Sequence, residues 1–207
     1  MSKECTITTA VEELQKFFIL LNHKYFGGEL EMPIITLNTD TTPGAYGWIT
    51  VNKVWNSKEG EWYREINLCA EHLHRDTELI ISTLLHEMCH LYNIQHGIKD
   101  TSRGGRYHNK EFKHTAEKYS LIVEKCEKNG YCITKPTPEL IAFVEENVNA
   151  DCFDLERIKT YKGGKQKVTK QSTKKYICPV CDLIVRASKD ITGRLKCVDC
   201  DEVLIES

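Results

Sequence analysis

Five residues, His86-Glu87-Met88-Cys89-His90, restrict this chain more than any other stretch. The pattern H-E-x-x-H has a physical meaning only on an α-helix. There, positions i and i+4 stand one turn apart on one face, so two imidazoles reach the same ion and the intervening glutamate lies close to a water bound to it. The flanks agree with a helix. Asp76 is placed to cap it, Ile80, Leu84, Met88 and Leu91 recur at three- and four-residue steps, and Gly97 suits its end. The apolar stripe runs beside the His86/His90 edge, so the pair should open from a packed wall.

Two histidines do not complete a catalytic zinc site, which usually takes three protein ligands and leaves the fourth position to water. Two downstream histidines compete for the third place. His96 completes the metzincin spacing H-E-x-x-H-x-x-N-x-x-H, with Asn93 where that pattern has glycine and no convincing Met-turn after it. His108 lies beyond a glycine-rich loop, Arg103-Gly104-Gly105-Arg106. His72 and His74, at i and i+2, and the single residues His23 and His114 read more simply as solvated side chains, although His114 is spaced to approach the site if His108 does.

Around this centre the first 150 residues read as one α+β domain of helices on a small antiparallel sheet. A helix is expected over Val11 to Tyr25, closed by Gly27-Gly28. Short β-prone runs follow at Pro33 to Leu37, Ala45 to Val51 and Arg64 to Cys69, with Thr41-Thr42-Pro43-Gly44 the clearest turn. Beyond the central helix, Asn109 to Lys128 reads as an amphipathic helix with Phe112, Ala116, Tyr119 and Val123 on one side, and Pro138 to Val148 as another.

The C-terminus carries a second metal pattern. Cys178-Pro179-Val180-Cys181 and Cys197-Val198-Asp199-Cys200 are two C-x-x-C pairs whose four thiolates close a tetrahedron with no open position, the pattern of a structural zinc. Leu183 to Val185 and Val203 to Ile205 can supply short strands for a ribbon too small to fold without its ion. Asp182 and Asp201 follow the knuckles where glycine is common, and aspartate tolerates a left-handed turn there. The other six cysteines (Cys5, Cys69, Cys89, Cys126, Cys132, Cys152) show no paired spacing and read as reduced thiols.

The net charge of -2 conceals an uneven distribution. Residues 151–175 hold 8 Lys/Arg against 3 Asp/Glu, and Lys159 to Tyr176 carries seven lysines, no acid and a Gly-Gly pair. Such a segment is a flexible polycation that binds phosphate backbones without reading their sequence, or a linker that is merely soluble. The implied division is a domain over 1–150, a basic linker over 151–175 and a four-cysteine zinc ribbon over 176–207. The N-terminal residues lead into a charged amphipathic segment, with no apolar core of a signal peptide, and no stretch approaches a membrane span. The expectation is a cytoplasmic or nucleoid-associated protein that is not secreted.

Leu84-Leu85-His86-Glu87-Met88-Cys89-His90, the glycine-rich loop and the segment His108-x-x-Glu111-Phe112 together resemble the SprT-like metalloproteases, the group that includes bacterial SprT and the eukaryotic Spartan proteases. Asn22 to Leu30 resembles that family's first helix and its glycine-containing exit, so the likeness spans about residues 10 to 125. The resemblance implies a zincin-like fold and a catalytic zinc on His86, His90 and His108, with Glu87 as general base. It further implies a protein substrate bound or crosslinked to DNA, with the lysine-rich linker and the ribbon as DNA-binding elements. One catalytic and one structural Zn2+ are expected. The alternatives are a DNA- or protein-binding module with structural zinc only, and a metallopeptidase for small peptides unrelated to DNA. Tyr92, Tyr107 and Arg106 are candidates by side-chain type for stabilising an oxyanion.

Overall fold

In a computed structural model the chain is described for residues 5–39, 44–155, 157 and 173–206, without the side chains of 150 and 151. Residues 41–43 of the expected turn and residues 158–172 of the lysine-rich linker lie outside the described residues. Two compact units result, Met1–Lys159 and Thr160–Ser207.

The first unit is built around a helix buried on nearly every side. Helix α1 (Ile7–Phe26) starts on a reciprocal capping box, in which the Thr9 amide donates to the Thr6 hydroxyl and the Thr6 amide donates to the Thr9 hydroxyl. Left-handed Gly27 ends it, and Asn22 bonds both backbone groups of Leu30 to turn the chain back. Helix α2 (Thr77–Gln95) carries the H-E-x-x-H residues. Ile81, Leu85 and Cys89 are buried as fully as Ile80, Leu84 and Met88. The apolar surface therefore wraps most of the helix, as a helix packed from several sides requires. Its neighbours are α1, α3 (Lys110–Lys118), α4 (Pro138–Asn147) and three of the strands described next.

Strands β1 (Ile34–Asn38), β2 (Gly47–Ile49) and β5 (Glu65–Cys69) form a sheet in the order β1-β5-β2, while β3 (Trp55–Asn56) and β4 (Trp62–Tyr63) make a separate hairpin between β2 and β5. The sheet is mixed, not antiparallel as expected, because β5 lies parallel to β1 and antiparallel to β2. The chain from Asn38 to Glu65 is long enough to return to the same end of the sheet, which a parallel pair requires. Buried Asn67 on β5 accepts from the Thr36 hydroxyl and the Asn38 amide, so the parallel register is held by a side chain as well as by the ladder.

The helix expected over Asn109 to Lys128 is half right. Asn109 caps α3 through bonds from the Glu111 and Phe112 amides, but the helix stops at Lys118. Ser120 takes φ of 63°, and the chain continues as β8 (Leu121–Cys126) and β9 (Gly130–Pro136), an antiparallel hairpin. Phe112, Ala116 and Tyr119 are buried as the helical stripe demands, whereas Ile122 and Val123 alternate faces on a strand, which suits their branched side chains. The sheet runs β6-β7-β9-β8, with β6 (Thr101–Ser102) antiparallel to β7 (Tyr107–His108) and β7 parallel to β9. Thr137 caps α4 by accepting from the Leu140 amide, with Pro138 at its first turn.

The second unit is a three-stranded antiparallel sheet, with β10 (Lys174–Ile177) between β11 (Ile184–Ala187) and β12 (Ile205–Glu206). Its buried core is small: Tyr176, Cys178, Cys197 and Leu204. Among the described residues no helix is long and apolar enough to cross a membrane.

Gly130 starts β9 with φ of 70°, and a Cβ there would stand 2.2 Å from the His108 carbonyl oxygen. Gly130→Ala is therefore expected to cost about 2 kcal/mol or more, from the left-handed backbone and the forced separation of β7 from β9. Urea unfolding checks this, and an unchanged midpoint would show that the two strands part without loss.

Candidate metal centre

His86 and His90 sit one turn apart on α2, and the return of the chain through β7 brings His108 to them. The Nε2 atom of His108 lies 3.2 Å from that of His86 and 3.1 Å from that of His90. A tetrahedral zinc with Zn–N bonds of about 2.0–2.1 Å sets its nitrogens about 3.3 Å apart, so the spacing matches a triad of ligands. Phe112 packs against all three rings, at 4.5, 4.5 and 4.7 Å between centroids, and forms the apolar floor beneath them.

Outer partners orient two of the rings. His90 Nδ1 is 2.6 Å from Asp100 Oδ2, which makes Nδ1–H the donor and leaves the Nε2 lone pair facing the other imidazoles. Asp100 also accepts from Asn93 Nδ2, and Asn93 Oδ1 accepts from the Thr115 hydroxyl, so a buried chain runs from the metal edge of α2 into α3. His86 Nδ1 meets the Thr134 hydroxyl of β9 at 3.0 Å. His108 Nδ1 is buried with no hydrogen-bond partner among the described residues, and that ring is held instead through its backbone, whose amide donates to the Asn129 carbonyl.

The electrostatics agree with a cation site. Burial, reinforced by the positive charge each neighbour would carry, drives His86 well below the usual histidine range, and burial brings His108 down to about 4. The Nε2 atoms of His86 and His108 thus meet that of His90 with the protonated forms of both rings disfavoured, an arrangement suited to a shared cation. Burial tends to raise Asp100, but its hydrogen bonds from His90 and Asn93 carry it below the ordinary carboxylate value. Burial pushes the Glu87 carboxyl up to about 7, with the Asp100 charge adding to the rise and His90 opposing it. Gly47 on β2 makes room for that carboxyl: a Cβ there would meet Glu87 Oε1 at 3.2 Å, the Asn67 carbonyl at 3.0 Å and Thr83 Cγ2 at 3.1 Å.

The other candidate histidines go elsewhere. His96 caps the end of α2, stacks on Tyr92 at 4.1 Å and directs Nδ1 to the Tyr92 carbonyl. Its neighbour Asn93, which occupies the glycine position of the metzincin pattern, is wholly buried in the Asp100 chain. His72 packs edge-on to Tyr46, and His114 lies on α3 in a shallow cleft with Tyr131. Of the oxyanion candidates, Tyr92 is committed to Phe26 and Tyr119, and Tyr107 lies under Arg103 and against Gly130. Asp100, Thr134 and Gly47 escaped the sequence reading, because a lone aspartate, threonine or glycine carries no spacing that ties it to a helix far along the chain.

In the second unit the sulfur ligands of Cys178, Cys181, Cys197 and Cys200 all fall within 4.8 Å of one another. Each knuckle turns through a left-handed aspartate, Asp182 at φ 58° and Asp201 at φ 59°, whose amides donate to the Cys178 and Cys197 carbonyls. Backbone N–H groups of Cys181 and Val180 draw the Cys178 thiol down to about 7, while contacts with the neighbouring cysteines, Cys181 first, raise Cys200, as sulfurs facing one another must unless they share a cation. Both donor sets thus fit zinc, the first with three imidazoles, which leave one position of a tetrahedron unfilled by protein, the second closed by four sulfurs.

His108→Ala is expected to release the metal of the histidine site and His96→Ala to keep it, while Asp100→Asn weakens that site about 10–100-fold. Elemental analysis after dialysis against graded chelator separates the three, starting from two zinc ions per fully loaded chain. A His108→Ala protein that retains both ions would remove His108 from the site.

No curated protein and no solved structure matches the chain. The SprT-like family matches residues 14–134, from α1 to the Thr134 that meets His86, and so spans every residue of the histidine site. By that match, over more than half its length, the chain belongs to the SprT-like family, a family associated with metallopeptidases.

Proposed function

We propose that the protein is a zinc-dependent endopeptidase that acts on proteins bound or crosslinked to DNA. The observation that carries the peptidase reading is the meeting of three Nε2 atoms beside a buried glutamate. His86, His90 and His108 would hold the zinc, which when bound polarises a peptide carbonyl and acidifies a water molecule. Glu87 takes the proton from the attacking water and returns it to the leaving amine. A carboxylate is basic enough to accept a proton from an acidified water, and the carboxylic acid so formed is acidic enough to give it to an amine. Asp100 holds His90 in the required tautomer, and Thr134 directs the ring of His86. The four-cysteine cluster, with every sulfur committed, has no open position for chemistry and serves as a fold-holding site.

Glu87→Gln is expected to keep the fold and both ions while lowering the turnover of a casein-like protein by about 10²–10⁴-fold, since an amide cannot take the water's proton. Full turnover in that variant, with metal content unchanged, would take Glu87 out of the reaction.

The DNA part of the reading rests on the seven lysines without an acid between Lys159 and Tyr176. Casein degradation measured with and without single-stranded DNA, at low and high salt, tests it. Acceleration by DNA that fades as salt rises is the expected result. Equal rates would leave a peptidase unrelated to DNA, and no cleavage by the fully loaded protein would favour a binding module.

A further inference from the structure

Cys126 and Cys132 are six residues apart and show no pattern in sequence, yet the β8–β9 hairpin sets their sulfurs 3.1 Å from each other. The cause is a register shift. Glu124 stands opposite Ile133 in the regular ladder, which would pair Cys126 with Tyr131, but beyond the irregularity Cys126 stands opposite Gly130, so its side chain falls on the face that Cys132 shares, diagonally across the hairpin. Both thiols are partly exposed, in contrast to Cys69, Cys89 and Cys152, which are buried in the first unit. The Asn129 amide donates to Cys126 Sγ at 3.1 Å, a contact that stabilises negative charge on this sulfur.

We propose that Cys126 and Cys132 form a reactive dithiol that closes to an intramolecular disulfide when a small-molecule disulfide such as oxidised glutathione reaches it. The sulfurs need to approach by only about 1 Å to reach a bond of about 2.0 Å, and they stand on the two strands that flank a short hairpin turn. In the first step the Cys126 thiolate attacks one sulfur of the reagent, its S–S bond breaks, and one glutathione leaves as thiolate. In the second, Cys132 gives up its proton and attacks the Cys126 sulfur, expelling the second glutathione. Two protein thiols are thereby oxidised and one reagent disulfide is reduced to two thiols, which take up the protons.

The order of attack follows from the surroundings. The contacts from Cys132 and from the Asn129 amide lower Cys126, whereas burial, and then Cys126 itself, raise Cys132 to about 11. The share due to Cys126 disappears once that sulfur is bonded in the mixed disulfide, which frees Cys132 for the second step. The closed ring would staple the turn that supplies the Asn129 carbonyl to the His108 amide, and β9 continues to the Thr134 hydroxyl at His86. Formation of the bond does not depend on whether those histidines hold a metal.

The test uses the full-length, zinc-loaded protein treated with oxidised glutathione, quenched with an alkylating agent and cut after lysine. Cleavage after Lys125 and Lys128 separates the two cysteines, so the disulfide joins two peptides that otherwise run apart. We expect that joined species with the mass of two fewer hydrogens, its disappearance on reduction, and an upward, reversible shift in melting temperature. In Cys132→Ser, Cys126 should remain as a persistent mixed disulfide, and in Cys126→Ser the joined species should be absent. Recovery of both wild-type cysteines as alkylated thiols, under conditions that oxidise a control dithiol, would overturn the proposal. A mixed disulfide that persists in the wild type, or modification of Cys132 in preference to Cys126, would overturn it equally.

Discussion

The histidine centre is assembled by backbone pairing, in which β7 lies between β6 and the Asn129–Gly130 turn and so carries His108 to the helix. A single helix supplies two imidazoles at one-turn spacing by its own geometry, but it cannot supply a third on the same side at the same depth. That third ring must arrive on a separate piece of chain, and here it arrives on a strand only two residues long. So short a strand has almost no pairing energy of its own. It is fixed by the amide of His108 on the Asn129 carbonyl and by Gly130, whose missing side chain lets the strands close.

A second device makes the helix and the returning chain a single object. The polar chain from His90 through Asp100 and Asn93 to Thr115 is buried and fully bonded, and it joins α2, the loop before β6, and α3. Buried polar groups of this kind are costly when left unpaired, so each member restricts the others to one arrangement. Phe112 adds the apolar counterpart from the first turn of α3. The histidine edge of the helix is thus cross-linked to its neighbours by side-chain bonds and ring packing, the kind of support by which a constellation of ligands is held in one geometry.

Much of this was legible in the residues themselves. The central helix, its two histidines and glutamate, the glycine exit of the first helix, the last helix and the two cysteine knuckles follow from local periodicity and spacing, while the Thr6 capping box that starts the first helix four residues before Val11 does not. The parallel pairing of β1 with β5 did not, because strand direction is decided by how a long connection returns and not by the strand's own residues. Nor did the break of the presumed helix after Lys118: Phe112, Ala116, Tyr119 and Val123 keep helical spacing across a point where Ser120 turns left-handed and the chain becomes a hairpin. The same hairpin hid Thr134 as a partner of His86 and hid the approach of Cys126 to Cys132. Contacts that join distant segments through single ordinary residues have no signature until the backbone is placed.

The two units differ in how their interiors are made. The first buries a broad cluster of aliphatic and aromatic side chains, whereas the described residues of the second bury four, two of which are candidate sulfur ligands. Where half of a core is ligand, the folded population is tied to the free concentration of the ion by mass action, and the cost of emptying the site is the cost of the fold. A core of hydrocarbon carries no such dependence. With zinc as the ion at both sites, as proposed, a cell-wide fall in its supply would be felt as a change of shape in one unit and as a change of occupancy in the other.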